Sequence, residues 1–378
     1  LVYSYALHSY FDGVIRKSKS FSNLKLKTGI LLVNLGTPDS PSVSDVRKYL
    51  REFLSDPRVI DTSPLGRWLL VNFIIAPIRA PRSAKLYKKV WTEYGSPLLL
   101  YSTRQEYLLA EKLGNDFRVE LAMRYQSPSI ESGLIKLRKE NVKKIIVLPL
   151  FPQYASASTG SVHEKVMDII SKWQVVPEME FINSYCNDVN YINAFSEIGK
   201  QHKPENYDHI LFSFHGLPER QIKKADNYNH CLNDGCCDVL SNKNAFCYRA
   251  QCYETARLIA GKLDIKPADY TVCFQSRLGK TPWIKPYSDV VVEELAKQGK
   301  KKLLVFSPAF TSDCLETLYE IGVEYDELFK KHGGEKVQLV ESLNDHPLWI
   351  EALAELSRRS TSEQPVPVPV PVARNQPK

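Results

Sequence analysis

Apolar, β-branched runs bounded by turn residues recur along the chain, and each predicts a strand. They fall at 29–35, 117–123, 144–150 and 179–184, and again at 209–214, 270–275, 303–307 and 337–340. Helical periodicity fills most of the intervals, for example 43–54, 102–112, 130–139 and 254–262. Strands alternating with helices predict an α/β fold with parallel sheets covered on both faces. Four strands on each side of residue 185 divide the chain into two similar lobes, 27–185 and 186–356, with a cleft between them. No internal sequence repeat accompanies the division. The most apolar stretch, Trp68 to Ile78, is shorter than the ~18–20 residues of a membrane span and meets Pro77 near its end. It reads either as a buried helix or as a hydrophobic lip, flanked by Arg67, Arg79 and Arg82, that rests on a membrane or receives a greasy ligand.

The two ends break the pattern. Residues 364–372 alternate Pro and Val after Gln364, an extended composition without a core, so 357–378 is expected to be a disordered tail. Residues 1–26 form a basic, Ser-containing segment expected to be flexible. That segment lacks the apolar core of a secretory signal and passes only weakly for a mitochondrial presequence. A first residue of Leu suggests an alternative start codon or a clipped chain. The length of 378 residues, with 43% hydrophobic and 25% charged residues, excludes disordered, collagen-like and small disulfide-scaffold classes. The net charge of +7 resides wholly in residues 1–28 and 357–378, leaving 29–356 neutral. A duplex binder needs its basic face on the folded body, so no nucleic-acid partner is expected.

Ligands of such folds sit at the carboxyl ends of the strands. There lie Asn34–Pro38, Pro152-Gln153-Tyr154, Ser213–Pro218, Gln275-Ser276-Arg277 and Pro308-Ala309-Phe310. None is a Gly-rich dinucleotide or Walker loop, which disfavours nicotinamide and ATP enzymes. His215 ends a strand between Phe214 and Gly216, where the glycine is expected to let something large approach a near-neutral imidazole suited to accepting protons or holding a metal. After the seventh strand, Asp313, Glu316, Glu320, Glu324 and Glu327 recur at steps of three and four, one face of an α-helix. Glu324 and Glu327 suit a solvated face, whereas Asp313 and Glu316 start at the strand edge, where a row of hard oxygens can carry a divalent cation. Five of eight cysteines, Cys231, Cys236, Cys237, Cys247 and Cys252, gather in 230–252. Four of them suffice for an iron–sulfur cluster such as [2Fe–2S], with structural zinc as the alternative. Neighbours rarely ligate one iron together, so one of Cys236 and Cys237 is expected to be the spare.

The runs Leu32–Pro38, Ser213–Pro218, Phe274–Arg277 with Pro282-Trp283, and Asp313–Leu318 resemble the ferrochelatase family, in the same order over about residues 29–350. The resemblance implies two Rossmann-like lobes of the chelatase type with the porphyrin between them. It implies insertion of Fe²⁺ into protoporphyrin IX to give haem, with coproporphyrin III metallation and a non-catalytic haem or metal carrier as alternatives. His215 matches the essential histidine and Glu316 the carboxylate opposite it, both as catalytic and metal-binding groups; Asp313 and Glu320 match relay positions. Arg124, Tyr125 and Tyr154, with Gln275, Ser276 and Trp283, match the porphyrin cleft. The lip matches that of an enzyme often associated with membranes, which implies a cytoplasmic, membrane-peripheral protein. Cys314 replaces the histidine that animal members carry beside the glutamate, Ser156 stands at their internal cluster cysteine, and their C-terminal cluster cysteines are missing. A cluster would therefore use Cys231–Cys252, as in some bacterial members. Imidazole and carboxylate are expected to come from separate lobes to opposite faces of the ring.

Overall fold

A computed structural model of the chain describes residues 26–277, 279 and 281–360. Most of the two terminal segments, 1–25 and 361–378, lies outside the described residues. All eight expected strands form, as β1 (Thr28–Gly36), β2 (Phe117–Tyr125), β3 (Lys144–Pro149), β4 (Glu178–Phe181), β5 (His209–His215), β6 (Tyr270–Gln275), β7 (Lys302–Phe306) and β8 (Lys336–Leu339). They make two four-stranded parallel sheets with the same permuted order, β2-β1-β3-β4 and β6-β5-β7-β8. In each sheet the order reverses between the first and third strands of the lobe, and the crevice beyond that switch point is where such sheets bind ligands.

The strands are buried runs because helices cover both faces. Inward side chains such as Ile30, Leu32, Phe212 and Phe306 are fully buried, and burial of each such side chain contributes about 1.5–3 kcal/mol. Helix starts follow local chemistry: Ser42, Ser129 and Asp188 each accept backbone N–H groups of the first turn. Asp188 is also bridged by Arg359 at 2.5 Å.

The lobes share one core. The cluster around Tyr185, Tyr191, Phe195 and Trp349 joins side chains of both sheets. The last helix, Pro347–Arg359, ties the second lobe to the first through Lys112–Glu351 and Arg358 to the Lys112 carbonyl. That helix also places Arg358 and Arg359, counted in the basic tail from the sequence, in ion pairs with Glu355 and Asp188.

The Trp68–Ile78 stretch is not a buried helix. Helical turns run from Pro64 to Val90 with a π-helical segment at Leu70–Ile75, and Pro77 sits in the first turn of its third part, where a proline needs no partner. Val71 and Ala76 point inward, while Trp68, Phe73 (64% exposed), Ile74 and Ile78 (70% exposed) face outward. Among the described residues no helix is long and apolar enough to cross a membrane.

Candidate active site

His215 ends β5 and Glu316 begins the segment after β7, so imidazole and carboxylate come from adjacent strands of one sheet, across its switch point, and not from separate lobes. The His215 Nδ1 lies 2.7 Å from the Gly216 carbonyl oxygen. A carbonyl only accepts, so Nδ1 carries a proton, and in the neutral ring Nε2 keeps the lone pair. The Gly216 N–H in turn donates to the Gln275 carbonyl at 2.8 Å, and the Tyr248 hydroxyl donates to the His215 carbonyl at 2.9 Å. Gly216 does not leave room for a ligand: a Cβ there would stand 2.8 Å from the Gln275 oxygen and 3.2 Å from the Trp283 ring. The glycine admits the protein's own indole, which backs the motif that holds the imidazole.

The acidic run forms a π-helix, Glu316–Tyr325, continued by an α-helix, Asp326–Lys331. The single α-helical face expected from steps of three and four is therefore not what forms, because the wider turn rotates successive residues differently. Such wide turns occur frequently at functional sites. Glu316 and Glu320 are half-buried, whereas Glu324 and Glu327 are exposed. Burial pushes the Glu320 carboxyl above the ordinary carboxylate range, while Ser276 and the nearby His215 act against it and Glu316 adds to it. Glu316 neighbours the buried Tyr49, Tyr87 and Cys314, whose pKa values are raised by burial first and by that carboxylate second in Tyr49 and Cys314. Asp313 is tied into the frame: its carboxylate accepts from Thr317 Oγ1 (3.0 Å), the Ser342 N–H (3.2 Å) and Asn344 Nδ2 (2.8 Å).

The first lobe carries the other residues expected at the porphyrin cleft. Gly36 has φ +117°, and any Cβ there would lie 2.0 Å from the Tyr125 carbonyl oxygen, which accounts for the glycine in Asn34-Leu35-Gly36-Thr37. Tyr125 itself is fully buried; its hydroxyl donates to Asp56 at 2.9 Å and its ring packs on Phe53. It therefore offers no surface to a porphyrin and supports Arg124, which bonds Asp56 (2.7 Å) and Ser161 Oγ (2.6 Å) and lies over the Tyr125 ring. Tyr154 is half-buried beside Phe246, its N–H donating to Gln251 at 2.7 Å. Gln275 is buried and accepts from Ser213 Oγ at 2.7 Å, while its Nε2 has no protein partner.

Sequence reasoning missed Asp56, Ser161 and the clasp between lobes, in which Arg220 and Lys224 grip Asp61 at 2.5 and 2.7 Å. Those two cations hold the Asp61 carboxyl down at about 2, despite an opposing desolvation effect. Only the i,i+4 spacing of the two cations after His215-Gly216 hinted at a shared partner.

The cysteine segment gathers four sulfurs. Cys236 and Cys237 approach to 3.6 Å, Cys247 contacts both Cys231 and Cys237, and the Arg249 guanidinium lies 3.1 Å from the Cys237 sulfur. Cys252 is fully buried against the Tyr248 hydroxyl. All eight thiols are unpaired. Among the described residues, no group of three or more His, Cys, Asp or Glu side chains is already arranged as a metal site.

A family model described as Ferrochelatase matches residues 27–361. The chain belongs to the ferrochelatase family. It is 47% identical over 336 residues to the Ferrochelatase of Coxiella burnetii (strain Dugway 5J108-111), across 88% of this chain and 94% of that protein. Against the Ferrochelatase of Legionella pneumophila (strain Paris) it is 44% identical over 328 residues, across 87% of this chain and 98% of that protein. The solved sirohydrochlorin chelatase SirB from Bacillus subtilis subspecies spizizenii, in complex with cobalt, matches at a TM-score of 0.51 and 15% identity over 90% of this chain and 97% of that one, a likeness of fold. Insertion of iron into a porphyrin, the metallation step of haem synthesis, is accordingly the reaction of this ferrochelatase-family chain.

Proposed function

We propose that the porphyrin is protoporphyrin IX, that His215 accepts its pyrrole protons, and that Glu316 and Glu320 deliver Fe²⁺. The observation that carries this reading is the imidazole whose Nδ1 is committed to the Gly216 carbonyl, leaving Nε2 as a proton acceptor near the Glu320 carboxylate. A flat porphyrin carries two inner N–H groups and must lose both protons for the metal to enter. Binding the macrocycle bent exposes the nitrogen lone pairs, and burial of its apolar faces offsets that strain. A base and a carboxylate row then divide the work: Nε2 takes one proton, releases it to solvent and takes the second, while Fe²⁺ arrives along the carboxylates. Carboxylate oxygens suit a divalent ion that must be released onward and not trapped. Arg124, held by Asp56, and Tyr154 are the first-lobe residues in this reading, with Trp283 against Gly216 of the histidine motif. Asp313 serves by fixing the start of the π-helix. Anaerobic assays with Fe²⁺ and each porphyrin test the substrate: faster haem formation from protoporphyrin IX than from coproporphyrin III is expected, and the reverse order contradicts it. Absence of turnover on either would favour a carrier.

The outward lip of Trp68, Phe73, Ile74 and Ile78 supports a peripheral contact with a membrane, where apolar porphyrin is delivered. Loss of lipid-vesicle binding on Phe73→Ser with Ile78→Ser is the expected result. Eight unpaired cysteines support a reducing, cytoplasmic setting. The thiols of Cys231, Cys236, Cys237 and Cys247 would be the donors to a [2Fe–2S] cluster after a local rearrangement, and Arg249 offers a cation beside the thiolates that ligation would create. Such a cluster would brace the segment that packs beneath His215 through Tyr248. Two irons and two labile sulfides per chain after anaerobic purification support it, and one zinc without sulfide overturns it.

A further inference from the structure

We propose that Ser276 is a positioning residue that locks the Glu320 carboxylate into the same hydrogen-bonded frame as the His215 imidazole. Ser276 Oγ donates to Glu320 Oε2 at 2.6 Å and the Ser276 N–H donates to Glu320 Oε1 at 3.1 Å, so one residue engages both oxygens. The Tyr325 hydroxyl, from the far end of the π-helix, adds a weaker bond to Oε1 at 3.3 Å. Ser276 adopts φ +65°, a left-handed conformation that L side chains seldom take, and this turn is what aims its N–H and hydroxyl at the same carboxylate. The residue before it, Gln275, accepts the Gly216 N–H through its carbonyl, and the Gly216 carbonyl holds His215 Nδ1. A continuous chain of contacts thus runs from Glu320 through Ser276, Gln275 and Gly216 to His215. Both Ser276 donors engage the carboxylate, so the residue links the metal row to the base.

The inference rests on the reading of Glu320 as part of the row that handles Fe²⁺, and the test separates the two. Ser276→Gly keeps the left-handed backbone and its N–H but removes the hydroxyl; Ser276→Asn accepts the same backbone and retains a side-chain donor. Both variants, Glu320→Gln and the Ser276→Gly/Glu320→Gln pair are compared for Fe²⁺ kinetics, porphyrin Kd by fluorescence quenching, and Tm. Ser276→Gly is expected to lower kcat/KM for Fe²⁺ about tenfold, the scale of one charge-assisted hydrogen bond, chiefly through KM. Porphyrin Kd and Tm stay near wild type, Ser276→Asn is less impaired, and the pair is no worse than Glu320→Gln alone. A Ser276→Gly enzyme with unchanged Fe²⁺ kinetics beside a defective Glu320→Gln overturns the positioning role alone. A porphyrin affinity that weakens instead, or multiplicative losses in the pair, also overturns it. A silent Glu320→Gln overturns the underlying reading of the row.

Discussion

Replacing Gly216 by Ala adds one methyl group where the structure leaves no space. The new Cβ would lie 2.8 Å from the Gln275 carbonyl oxygen and 3.2 Å from Cε3 of Trp283. That oxygen cannot retreat, because β6 is registered on β5 with His215 opposite Gln275 and the oxygen already accepts the Gly216 N–H at 2.8 Å. Residue 216 must move instead, by roughly half an ångström to reach ordinary contact, and its own carbonyl moves with it. Overpacking of this kind costs about 1–3 kcal/mol of stability. The catalytic effect is the sharper signal, since that carbonyl fixes His215 Nδ1 at 2.7 Å. A misplacement of about 1 Å costs about 100-fold in rate, so a shift half as large predicts a kcat loss of about tenfold. Anaerobic haem formation at saturating porphyrin reads kcat, and porphyrin quenching with thermal denaturation reads binding and folding separately. A Gly216→Ala enzyme with wild-type kcat would show that the carbonyl does not orient the base, whatever happened to Tm.

Other outcomes follow from the same geometry. Glu316→Gln removes the half-buried carboxylate at the head of the row and should lower turnover by about tenfold or more, whereas exposed Glu327→Gln should stay within about twofold. Tyr125→Phe withdraws one donor from buried Asp56; Tm should fall, by an equivalent of about 1–3 kcal/mol, with porphyrin Kd unchanged, and a weakened Kd would return Tyr125 to the cleft wall. Burial lowers His163 from its ordinary 6.5 to about 4. The folded state thus resists a proton that the unfolded chain accepts, so this contribution to stability is complete above about pH 6.5 and is lost as pH falls towards 4. Tm measured across that window should slope less in His163→Gln than in the parent.

Eight strands were legible because their β-branched runs are long and bounded by turn residues. The motifs at their carboxyl ends were legible too, since parallel sheets put chemistry there. What escaped has physical reasons. A π-helix differs from an α-helix in its i→i+5 bonding, which the order of acids and apolar residues does not announce, so Glu316–Tyr325 carried no mark of its wider turn. An apolar stretch looks alike whether buried or outward, and only packing showed Phe73 and Ile78 facing out. The glycine after His215 advertised an open space that Trp283 fills. A motif tyrosine was legible at Tyr125, yet its burial depends on Asp56 and Phe53, about 70 residues earlier in the chain.

In the proposed reaction, His215 Nε2 receives in turn the two protons displaced by iron. His215→Ala, assayed anaerobically for haem formation and in parallel for porphyrin binding, tests it most directly. Porphyrin bound with near-parental affinity and no metallation above the uncatalysed rate is the predicted result; full turnover without the imidazole would contradict it.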